Sequence, residues 1–458
     1  MGIAHQNAAA TTDRHGYTRI FFIHVLFIYT CISCIANIVL LPVLLPVALL
    51  AKRDKRRKLL QRLGLALECP GKNPHRHPVI WIHALSVGEV TSALSLIDGL
   101  KKSYPQGSIY FTTTTSAGFR LASNAAGNSA DRVLYAPFDL FFAVRRFLRL
   151  LGPDLFILVE TDLWPEWLRQ MHRLGIPAIL VNGRFSARSM QHYQRFSMLF
   201  APMFSCFTLV ATQTRADGLQ LERLGLPAAK IHNLGNLKFD AGQVLQKDGG
   251  SQIRRSELCI SDQAKVLICG STHHGEEQII FSAFARLRRI FPDLCLILAP
   301  RNTERAGEII ELARREGLTM NRRSQSGRSS ADVLLLDTIG ELAACYFVAD
   351  LAFIGGSLVP RGGHNPIEAA AAGIPVLYGP YMDDFAEISA ALIRDGGALQ
   401  VHSATALENQ INKLLTNPEQ AVKMGRAAAD FVRKGQGVVS RHLAVIKMLL
   451  DQKDDSGR

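Results

Sequence analysis

The chain has 458 residues, of which 48% are hydrophobic and 20% charged, and its formal net charge is +13. This length exceeds what one hydrophobic core usually supports, so two globular domains are expected, and the composition excludes a disordered or fibrous chain. Its eight cysteines lack the spacing of a disulfide framework or a metal-ligand cluster, which favours a reducing compartment and predicts no metal site.

The first predicted element is an apolar stretch at residues 20–51, which follows a tail of residues 1–19. It is long enough to cross a hydrocarbon layer of roughly 30 Å, and the basic run KRDKRRK follows it at once. Pro42 and Pro46 leave open a kinked or partly interfacial helix. The sequence therefore predicts a single N-terminal membrane anchor, and the positive-inside rule places the rest of the chain on the cytoplasmic side.

The excess of positive charge belongs to the half of the chain that follows the anchor. Between Lys52 and Asp240 there are 25 Lys and Arg against 13 Asp and Glu, whereas residues 241–458 carry 25 of each. A nucleic-acid-binding protein can show the same excess, but it usually carries stacking aromatic residues or a reading helix. Together with the anchor, the charge favours a membrane surface or an anionic lipid as partner, and no nucleic acid.

Apolar strand-like runs alternate with helical runs in two stretches, residues 52–240 and 263–427, and a polar linker is predicted at 241–262. This alternation is typical of parallel α/β domains, whose ligand sites lie beyond the carboxyl ends of the strands. A final helical segment over 428–458 is able to cross back to the first domain. The predicted strands are VIWIHAL, SIYFTTT, RVLYAP, LFILVE, PAILVNG, LVATQT and KIHNLGN, then VLICGST, LCLILAP, VLLLD, LAFIGG and PVLYGP.

A candidate general base follows the first predicted strand. Ser86, Gly88 and Glu89 come directly after the run WIHAL, at a glycine turn before a helix. A carboxylate in this position can accept a proton from a sugar hydroxyl if apolar neighbours raise its pKa toward the working pH. The alternative is that Glu89 only complements the dipole of the helix it begins.

Three further motifs of the first domain carry polar groups at strand ends. Glu160 terminates LFILVE, where a carboxylate can interact with charge near a reacting centre or form an ion pair with a nearby arginine. Asn182 and Arg184 follow the next strand and are suited to gripping a phosphate or carboxylate, although surface arginines look the same. Lys238, in NLGNLKFD, could neutralise a leaving phosphate or a sugar carboxylate.

The second domain contains a glycine-rich segment, FIGGSLVPRGGHNPIEAAAAGIPVLYGP, at residues 353–380. Glycines allow the backbone to approach a ligand closely, and Pro366 favours a helix start whose free amides would face an anion. The pattern predicts a phosphate site, with Gly363, His364 and Asn365 close by. Glu368 is placed on a ribose diol, with a helix-capping role as its alternative.

Other strand ends of the second domain are expected to converge on the same nucleotide. GSTHHGEE supplies Ser271 and Thr272 at one strand end, and APRNTER supplies Pro300 and Arg301 at another. The segment Ile339, Gly340 and Glu341 in DTIGEL is suited to a base edge or a ribose.

In this order and spacing, these motifs resemble those of the 3-deoxy-D-manno-octulosonic acid (Kdo) transferases of lipopolysaccharide synthesis. That family consists of GT-B glycosyltransferases, in which two Rossmann-like domains face each other across a cleft. The similarity runs from about Arg62 to the end of the second domain. Its most specific pieces are HALSVGE, ETDLWP, NGRFSARS, GNLKFD, GSTHHGEE and the glycine-rich segment.

The resemblance implies transfer of Kdo from CMP-Kdo to the glucosamine disaccharide of a lipid A precursor, at the bacterial inner membrane. It matches Glu89 to the general base, and Glu160 and Lys238 to positions that stabilise the transition state. It implies inversion by a single displacement, with CMP-Kdo as donor substrate and no separate cofactor or metal. The matched CMP-binding residues are Pro300, Arg301, Ile339, Gly340, Glu341, Asn365, Pro366, Ile367 and Glu368.

Two other functions are compatible with the residues. One is a membrane-associated GT-B transferase that uses a UDP-sugar and a polyprenyl lipid acceptor. The other is a non-catalytic nucleotide-binding scaffold tethered to the membrane, which would have no need of Glu89.

Overall fold

The computed structural model describes residues 29, 35, 53–65, 78–127, 129–160, 163–240, 253–325 and 330–456. The chain divides into two compact units. Unit 1 holds the chain up to Leu237 together with the segment from Gly437 onward, and unit 2 holds Lys238–Gln436. The predicted tail 1–19 and positions 241–252 of the predicted linker lie outside the described residues.

The predicted anchor at residues 20–51 also lies outside the described residues, apart from Tyr29 and Ile35. In the part of the chain that is described, no helix has the length and apolar character needed to span a membrane.

Unit 1 contains a parallel sheet of seven strands in the order β3-β2-β1-β4-β5-β6-β7. Strand β4, with the sequence LFILV, is buried at all five positions, as expected for a strand covered on both faces. The strands are β1 (Val79–Ala84), β2 (Ser108–Thr113), β3 (Arg132–Tyr135), β4 (Leu155–Val159), β5 (Ala178–Gly183), β6 (Leu209–Thr212) and β7 (Ile231–Asn233).

The helices of unit 1 begin at residues that suit a helix N-terminus. Ser86 and Thr115 accept hydrogen bonds from the first turns of α2 and α3, and Pro165 occupies the first position of α5. The helices are α1 (Arg53–Arg62), α2 (Val87–Ser103), α3 (Ser116–Ala125), α4 (Phe141–Leu151), α5 (Pro165–Arg173), α6 (Ala187–Arg195), α7 (Ser197–Ser205) and α8 (Arg215–Arg223).

Unit 2 contains a second parallel sheet of seven strands, in the order β10-β11-β9-β8-β12-β13-β14. The strands are β8 (Lys265–Thr272), β9 (Leu294–Pro300), β10 (Met320–Arg322), β11 (Val333–Leu335), β12 (Leu351–Ile354), β13 (Val376–Tyr378) and β14 (Ala398–Gln400). The helices are α9 (Glu276–Arg288), α10 (Ala306–Arg315), α11 (Leu342–Cys345), α12 (Ile367–Ala371), α13 (Ala386–Arg394), α14 (Ala404–Thr416) and α15 (Pro418–Gly435).

The described part of the predicted C-terminal segment 428–458 forms two helices, not one. Helix α15 ends at Gly435, and α16 (Val438–Ser456) begins after Gly437, whose φ of +81° is in the left-handed region. Helix α16 packs on α2 within unit 1.

Each unit has its own hydrophobic core. In unit 1, Trp81 and Trp167 are fully buried, with ring centroids 5.1 Å apart, and Trp81 also contacts Phe156. In unit 2, apolar side chains cover both faces of the central strands β8 and β12. These cores hold the carboxyl ends of the central strands in fixed positions, and the candidate functional residues lie there.

Candidate functional site

The sheet of unit 1 has a topological switch point between β1 and β4. These strands pair in parallel, but the chain leaves β1 for β2 on one side and reaches β4 on the other. In open α/β sheets, ligands bind in the crevice outside the carboxyl ends of such strands. Glu89 follows β1 and Glu160 follows β4, so two predicted catalytic carboxylates flank this switch point.

Glu89 is half-buried and makes a capping arrangement at the start of α2. Its Oε2 accepts from the Leu85 backbone N–H at 2.6 Å, and its Oε1 accepts from the Ser86 hydroxyl at 3.3 Å. The Glu89 backbone N–H in turn donates to Ser86 Oγ at 3.5 Å. Ser86 is thus the N-cap of α2, and the Glu89 side chain reaches back to the Leu85 N–H, one residue before the cap. The carboxylate therefore has a structural contact in addition to any chemical one. Gly88 beside it is exposed.

Glu160 directly follows β4 and has a backbone φ of +63°, which is rare for a residue with a side chain. Its backbone N–H still continues the ladder, donating to Val181 at 2.9 Å. The Glu160 Oε1 accepts from Asn182 Nδ2 at 3.4 Å, and Asn182 has a φ of +58°. Strained backbone of this kind is found at functional sites when the surrounding structure holds it in place.

Two cationic residues predicted for the site within residues 52–240, Arg184 and Lys238, lie in different units. Arg184 is half-buried after β5 in unit 1. Lys238 is the first residue of unit 2, where its ammonium lies 4.4 Å from the centroid of the Phe385 ring, a cation–π distance.

Unit 2 repeats the arrangement with a switch point between β8 and β12. These strands pair in parallel, with Ile354 opposite Gly270, and His273 and His364 lie just beyond their ends. The two Nε2 atoms are 2.8 Å apart, and the rings are nearly parallel, at an interplanar angle of 3°. Only one proton fits between these nitrogens, so at least one Nε2 is unprotonated.

Electrostatics keeps this imidazole pair neutral. Burial, the positive charge of Arg301 and proximity to His273 together lower the pKa of His364 to about 4, and burial has the largest effect. The pKa of His273 is lowered by burial and then by Arg361. A neutral pair bordered by two guanidinium groups is suited to an anionic ligand.

The glycine turn after β12 is occupied by a carboxylate of the protein itself. The backbone N–H groups of Gly356, Ser357 and Leu358 donate to Glu276, at 2.7, 3.0 and 2.9 Å, and that of His273 donates at 2.9 Å. These amides of the glycine turn thus face the fully buried side chain of Glu276. They are different from the helix-start amides at Pro366 that the sequence predicts to face an anion. A phosphate therefore has to use the later part of the segment.

A close backbone approach explains the first glycine of this turn. A Cβ at Gly355 would lie 2.4 Å from the carbonyl oxygen of Ser271, which no side chain permits. Ser271 itself has a φ of +59°. The carboxyl ends of β8 and β12 are therefore in close backbone contact, next to residues that are predicted to bind the donor substrate.

The later part of the glycine-rich segment carries Gly363 and the residues Asn365–Glu368. Helix α12 is short, Ile367–Ala371, with Pro366 before it. Asn365 Oδ1 accepts from the Ile367 N–H at 3.2 Å, and Asn365 Nδ2 donates to Glu368 Oε1 at 3.3 Å. Burial raises the pKa of Glu368, and the Asn365 bond opposes that effect.

The predicted residues on β8 and β9 are brought together by the sheet. The Arg301 backbone N–H donates to the Thr272 carbonyl at 2.9 Å, and Thr272 pairs with Pro300 in the strand register. The Arg301 side chain is exposed, whereas the Thr272 hydroxyl is buried and donates to Glu277 at 3.1 Å.

Residues Ile339–Glu341 form a turn between β11 and α11. The Ile339 side chain is 90% exposed, and Gly340 has a φ of +96°. Glu341 forms an ion pair with Arg323 at 2.7 Å and also accepts from the Thr338 hydroxyl. This turn thus offers an exposed apolar side chain at the carboxyl end of β11.

Sequence reasoning missed His273 as a partner of His364 and Glu276 as the ligand of the glycine turn. Both belong to GSTHHGEE, and a polar run directly after a strand was the available signal. Within the described ranges, no group of three or more His, Cys, Asp or Glu side chains is arranged to hold a metal ion.

Comparison with known proteins identifies relatives along most of the chain. Residues 57–241 match the family model described as 3-deoxy-D-manno-octulosonic-acid transferase (kdotransferase). The 3-deoxy-D-manno-octulosonic acid transferase of Haemophilus influenzae is 35% identical over 405 residues, covering 87% of this chain and 92% of that one. The enzyme of the same name from Rickettsia prowazekii is 31% identical over 383 residues, covering 82% and 81%.

Solved structures with similar folds have low sequence identity. A UDP-GlcNAc 2-epimerase from Neisseria meningitidis bound to UDP-GlcNAc has a TM-score of 0.58 at 16% identity, covering 81% of this chain and 99% of that one. A glycosyltransferase from Rickettsia africae has a TM-score of 0.53 at 12% identity, covering 82% and 99%. At this identity the likeness shows the fold alone: two parallel-sheet α/β domains that resemble GT-B glycosyltransferases.

The level of identity to the curated relatives, and its extent over both units, goes beyond a shared fold. Most of the motifs that carry the sequence resemblance lie at the carboxyl ends of central strands in the two sheets. The protein is therefore a glycosyltransferase enzyme, and the chain belongs to the 3-deoxy-D-manno-octulosonic acid transferase family.

Proposed function

We propose that this enzyme transfers Kdo from CMP-Kdo to the glucosamine disaccharide of a lipid A precursor, with inversion at the anomeric carbon. The observation that carries the proposal is the 35% identity to a curated Kdo transferase over 87% of the chain. The polar residues at both switch points support it, because a sugar transfer needs one group to activate the acceptor and others to receive the departing nucleotide.

Unit 1 supplies the acceptor chemistry in this proposal. Glu89 accepts the proton of the attacking sugar hydroxyl, and the new bond forms as the bond to the CMP phosphate breaks. Glu160 faces the positive charge that develops at the anomeric carbon. Lys238, which belongs to unit 2, meets the negative charge on the leaving phosphate. Ser86, Gly88 and Arg184 border the acceptor.

Unit 2 holds the donor in this proposal. Arg301 and the His273–His364 pair bind anionic groups of CMP-Kdo, together with the backbone at Gly363 and Ser271. Asn365 and Glu368 bind the ribose, and the exposed Ile339 offers apolar surface to the cytosine ring. The chain's own cations and amides neutralise the phosphate, so no cofactor or metal is assigned.

The enzyme is further proposed to act at the cytoplasmic face of the bacterial inner membrane, held by residues 20–51. Lys55, Arg56 and Arg57 on α1 are exposed and immediately follow that segment. Each basic residue near an anionic bilayer contributes about 1 kcal/mol of attraction. Deletion of residues 1–51 is expected to move the enzyme from the membrane fraction to the soluble fraction.

Mass analysis of the lipid product tests the reaction. Purified full-length protein is incubated with CMP-Kdo and the tetra-acylated lipid A precursor, and the acceptor is expected to gain the mass of one or more Kdo residues. Free CMP should inhibit the reaction, and UDP should not.

Each alternative function predicts a different result. A transferase specific for a UDP-sugar and a polyprenyl lipid would leave the lipid A precursor unchanged and would be inhibited by UDP. A non-catalytic scaffold would bind the nucleotide and release no CMP. Either result would overturn the proposed function.

A further inference from the structure

Asn182, at the end of β5, is held in a conformation that costs free energy unless its surroundings compensate. It is fully buried, with a backbone φ of +58° in the left-handed region. Asparagine tolerates this region better than most residues, but it is still uncommon there. Outliers of this kind cluster at functional sites.

The side-chain amide of Asn182 connects two segments of unit 1. Its Oδ1 accepts from the Leu237 backbone N–H at 3.0 Å, and its Nδ2 donates to Glu160 Oε1 at 3.4 Å. Because a backbone N–H requires an acceptor, Oδ1 must face Leu237, and the donor Nδ2 must then face the carboxylate. The hydrogen-bond network thus sets the orientation of the amide.

The backbone of Asn182 is fixed as well. Its carbonyl accepts from Gln213 Nε2 at 3.1 Å, and Gln213 Oε1 accepts from Asn236 Nδ2 at 2.8 Å. Asn182 is therefore tied to Asn236 and Leu237, the two residues that precede Lys238 in the chain. A side chain held through both its amide and its carbonyl has little freedom to move.

We infer that Asn182 is a positioning residue for Glu160, an inference that rests on the proposed function. Glu160 leaves the strand with a φ of +63°, so the pleat of the sheet does not direct its side chain. An amide donor from the neighbouring strand supplies that direction. The same donor favours the ionised form of the carboxylate, the form that stabilises positive charge at the anomeric carbon.

The substitution Asn182→Asp separates the two contacts. One carboxylate oxygen still accepts from Leu237, while the other replaces the N–H donor and faces Glu160. When both groups are ionised they repel each other, and kcat is expected to fall about tenfold to 100-fold with little change in the KM for CMP-Kdo. At lower pH the pair shares a proton, which restores a donor, so the ratio of variant to wild-type kcat should rise as pH falls.

Two further variants separate positioning from general damage. Asn182→Gly accepts the left-handed backbone without strain but lacks both contacts, so its kcat should be low with no recovery at low pH. Asn124→Asp makes the same charge change at an exposed position near the end of α3 in unit 1, and wild-type kcat is expected. Values within twofold of wild type for both Asn182 variants at every pH would overturn the inference.

A substrate-free measurement distinguishes failure of the inference from failure of the proposed function. Unfolding is followed by tryptophan fluorescence for N182D, Glu160→Gln and the double variant. If Asn182 contacts Glu160, the extra pH dependence of N182D disappears in the double variant, because only one carboxylate remains. Additive effects would overturn the positioning role even if Kdo transfer is observed, whereas absence of transfer by the wild type would overturn the proposed function itself.

Discussion

At the scale of single residues, the Glu89 carboxylate has structural contacts in addition to its proposed role as base. Its oxygens accept from Leu85 and Ser86 and thereby complete the start of α2. A proton acceptor fixed in this way is aimed in a constant direction, which favours a role as base. It also means that removing the side chain changes the helix as well as the chemistry.

Glu89→Gln is expected to separate the structural contacts from the proposed role as base. The amide oxygen of glutamine still accepts from Leu85, but the group no longer takes a proton, so kcat for Kdo transfer should fall at least about 100-fold. CMP-Kdo binding, measured by calorimetry, should stay near wild type. A variant retaining more than a tenth of wild-type kcat would show that Glu89 is not the base.

Glu89→Ala provides the comparison for the structural contacts. It should also abolish transfer while leaving CMP-Kdo binding measurable. In addition it removes the capping contacts, so the free energy of unfolding should fall by about 1 kcal/mol, whereas the glutamine variant should lose less.

The imidazole pair in unit 2 makes a second prediction at this scale. Because burial and Arg301 lower the pKa of His364 to about 4, its ring should titrate near that pH in an NMR experiment, with the resonance assigned by its loss in His364→Gln. The ordinary pKa of about 6.5 applies in the unfolded chain, so this ring contributes stability above that pH, which is lost as pH falls toward 4. Titration near 6.5 in the folded protein would contradict the buried pair.

At the scale of elements, the N-terminus of helix α5 is capped by a side chain from another part of the chain. Its own N-cap, Trp164, has no side-chain hydrogen bond to the helix. Asp139 supplies the acceptor, with Oδ1 at 3.0 and 3.2 Å from the N–H groups of Glu166 and Trp167, and its Oδ2 accepts from the Tyr29 hydroxyl at 2.7 Å. Helix α5 begins shortly after Glu160 in the chain. Asp139 therefore helps to fix the N-terminus of the helix that follows this candidate catalytic residue.

Asp139→Asn should remove one contribution to the pH dependence of the free energy of unfolding, because asparagine does not titrate. Burial raises the pKa of Asp139 to about 6 from an ordinary 3.8, so the folded protein holds a proton that the unfolded chain releases, and stability falls as pH rises from about 4 to about 6. The full change in the free energy of unfolding from this group is about 3 kcal/mol. Denaturant unfolding followed by tryptophan fluorescence measures it, because the three tryptophans all lie in unit 1. Identical pH curves for variant and wild type would contradict the prediction.

Most strands could be predicted from the sequence because each is a continuous apolar run. LFILVE contains β4 at Leu155–Val159, and LCLILAP is β9 at Leu294–Pro300. The short strands β10 and β14 were missed, since three residues with polar members at a sheet edge carry no periodic signal.

The candidate site was predictable in position but less so in its contacts. Parallel topology puts polar residues after Val159 and Thr272 at the carboxyl edges, and sequence alone indicates that. The pairing of Glu276 with amides 80 positions later depends on tertiary packing, so the glycine pattern could not tell an internal carboxylate from a phosphate. Likewise, the left-handed backbone of Glu160 has no local sequence signature.

At the scale of the whole molecule, unit 1 is completed by the far end of the chain. Helix α16 packs on α2, the helix that begins with the Glu89 cap. Arg441 of α16 also donates from Nε to the Leu234 carbonyl at 2.9 Å, in the segment that leads to Lys238. The C-terminal helix thus packs on the helix that follows Glu89 and holds the Leu234 backbone, both within unit 1.

Gly99 allows this close packing of the two helices. A Cβ at this position would lie 2.9 Å from Leu443 Cδ1 and 3.0 Å from Val439 Cγ1. Gly99→Val is therefore expected to overpack the contact and to lower the free energy of unfolding of unit 1 by about 1–3 kcal/mol, measured by tryptophan fluorescence. Gly99→Ala should cost less, because the end of the Leu443 side chain can move and alanine favours the helix.

A double-mutant cycle tests whether that cost arises at the contact between α2 and α16. Leu443→Ala removes the atom nearest to the added side chain, so Gly99→Val should be less destabilising in that background, by more than about 0.5 kcal/mol. Equal costs in both backgrounds would mean that valine acts within α2 alone. Because α2 carries Glu89 at its start, the overpacked variant should also lose kcat, and the second substitution should recover part of it.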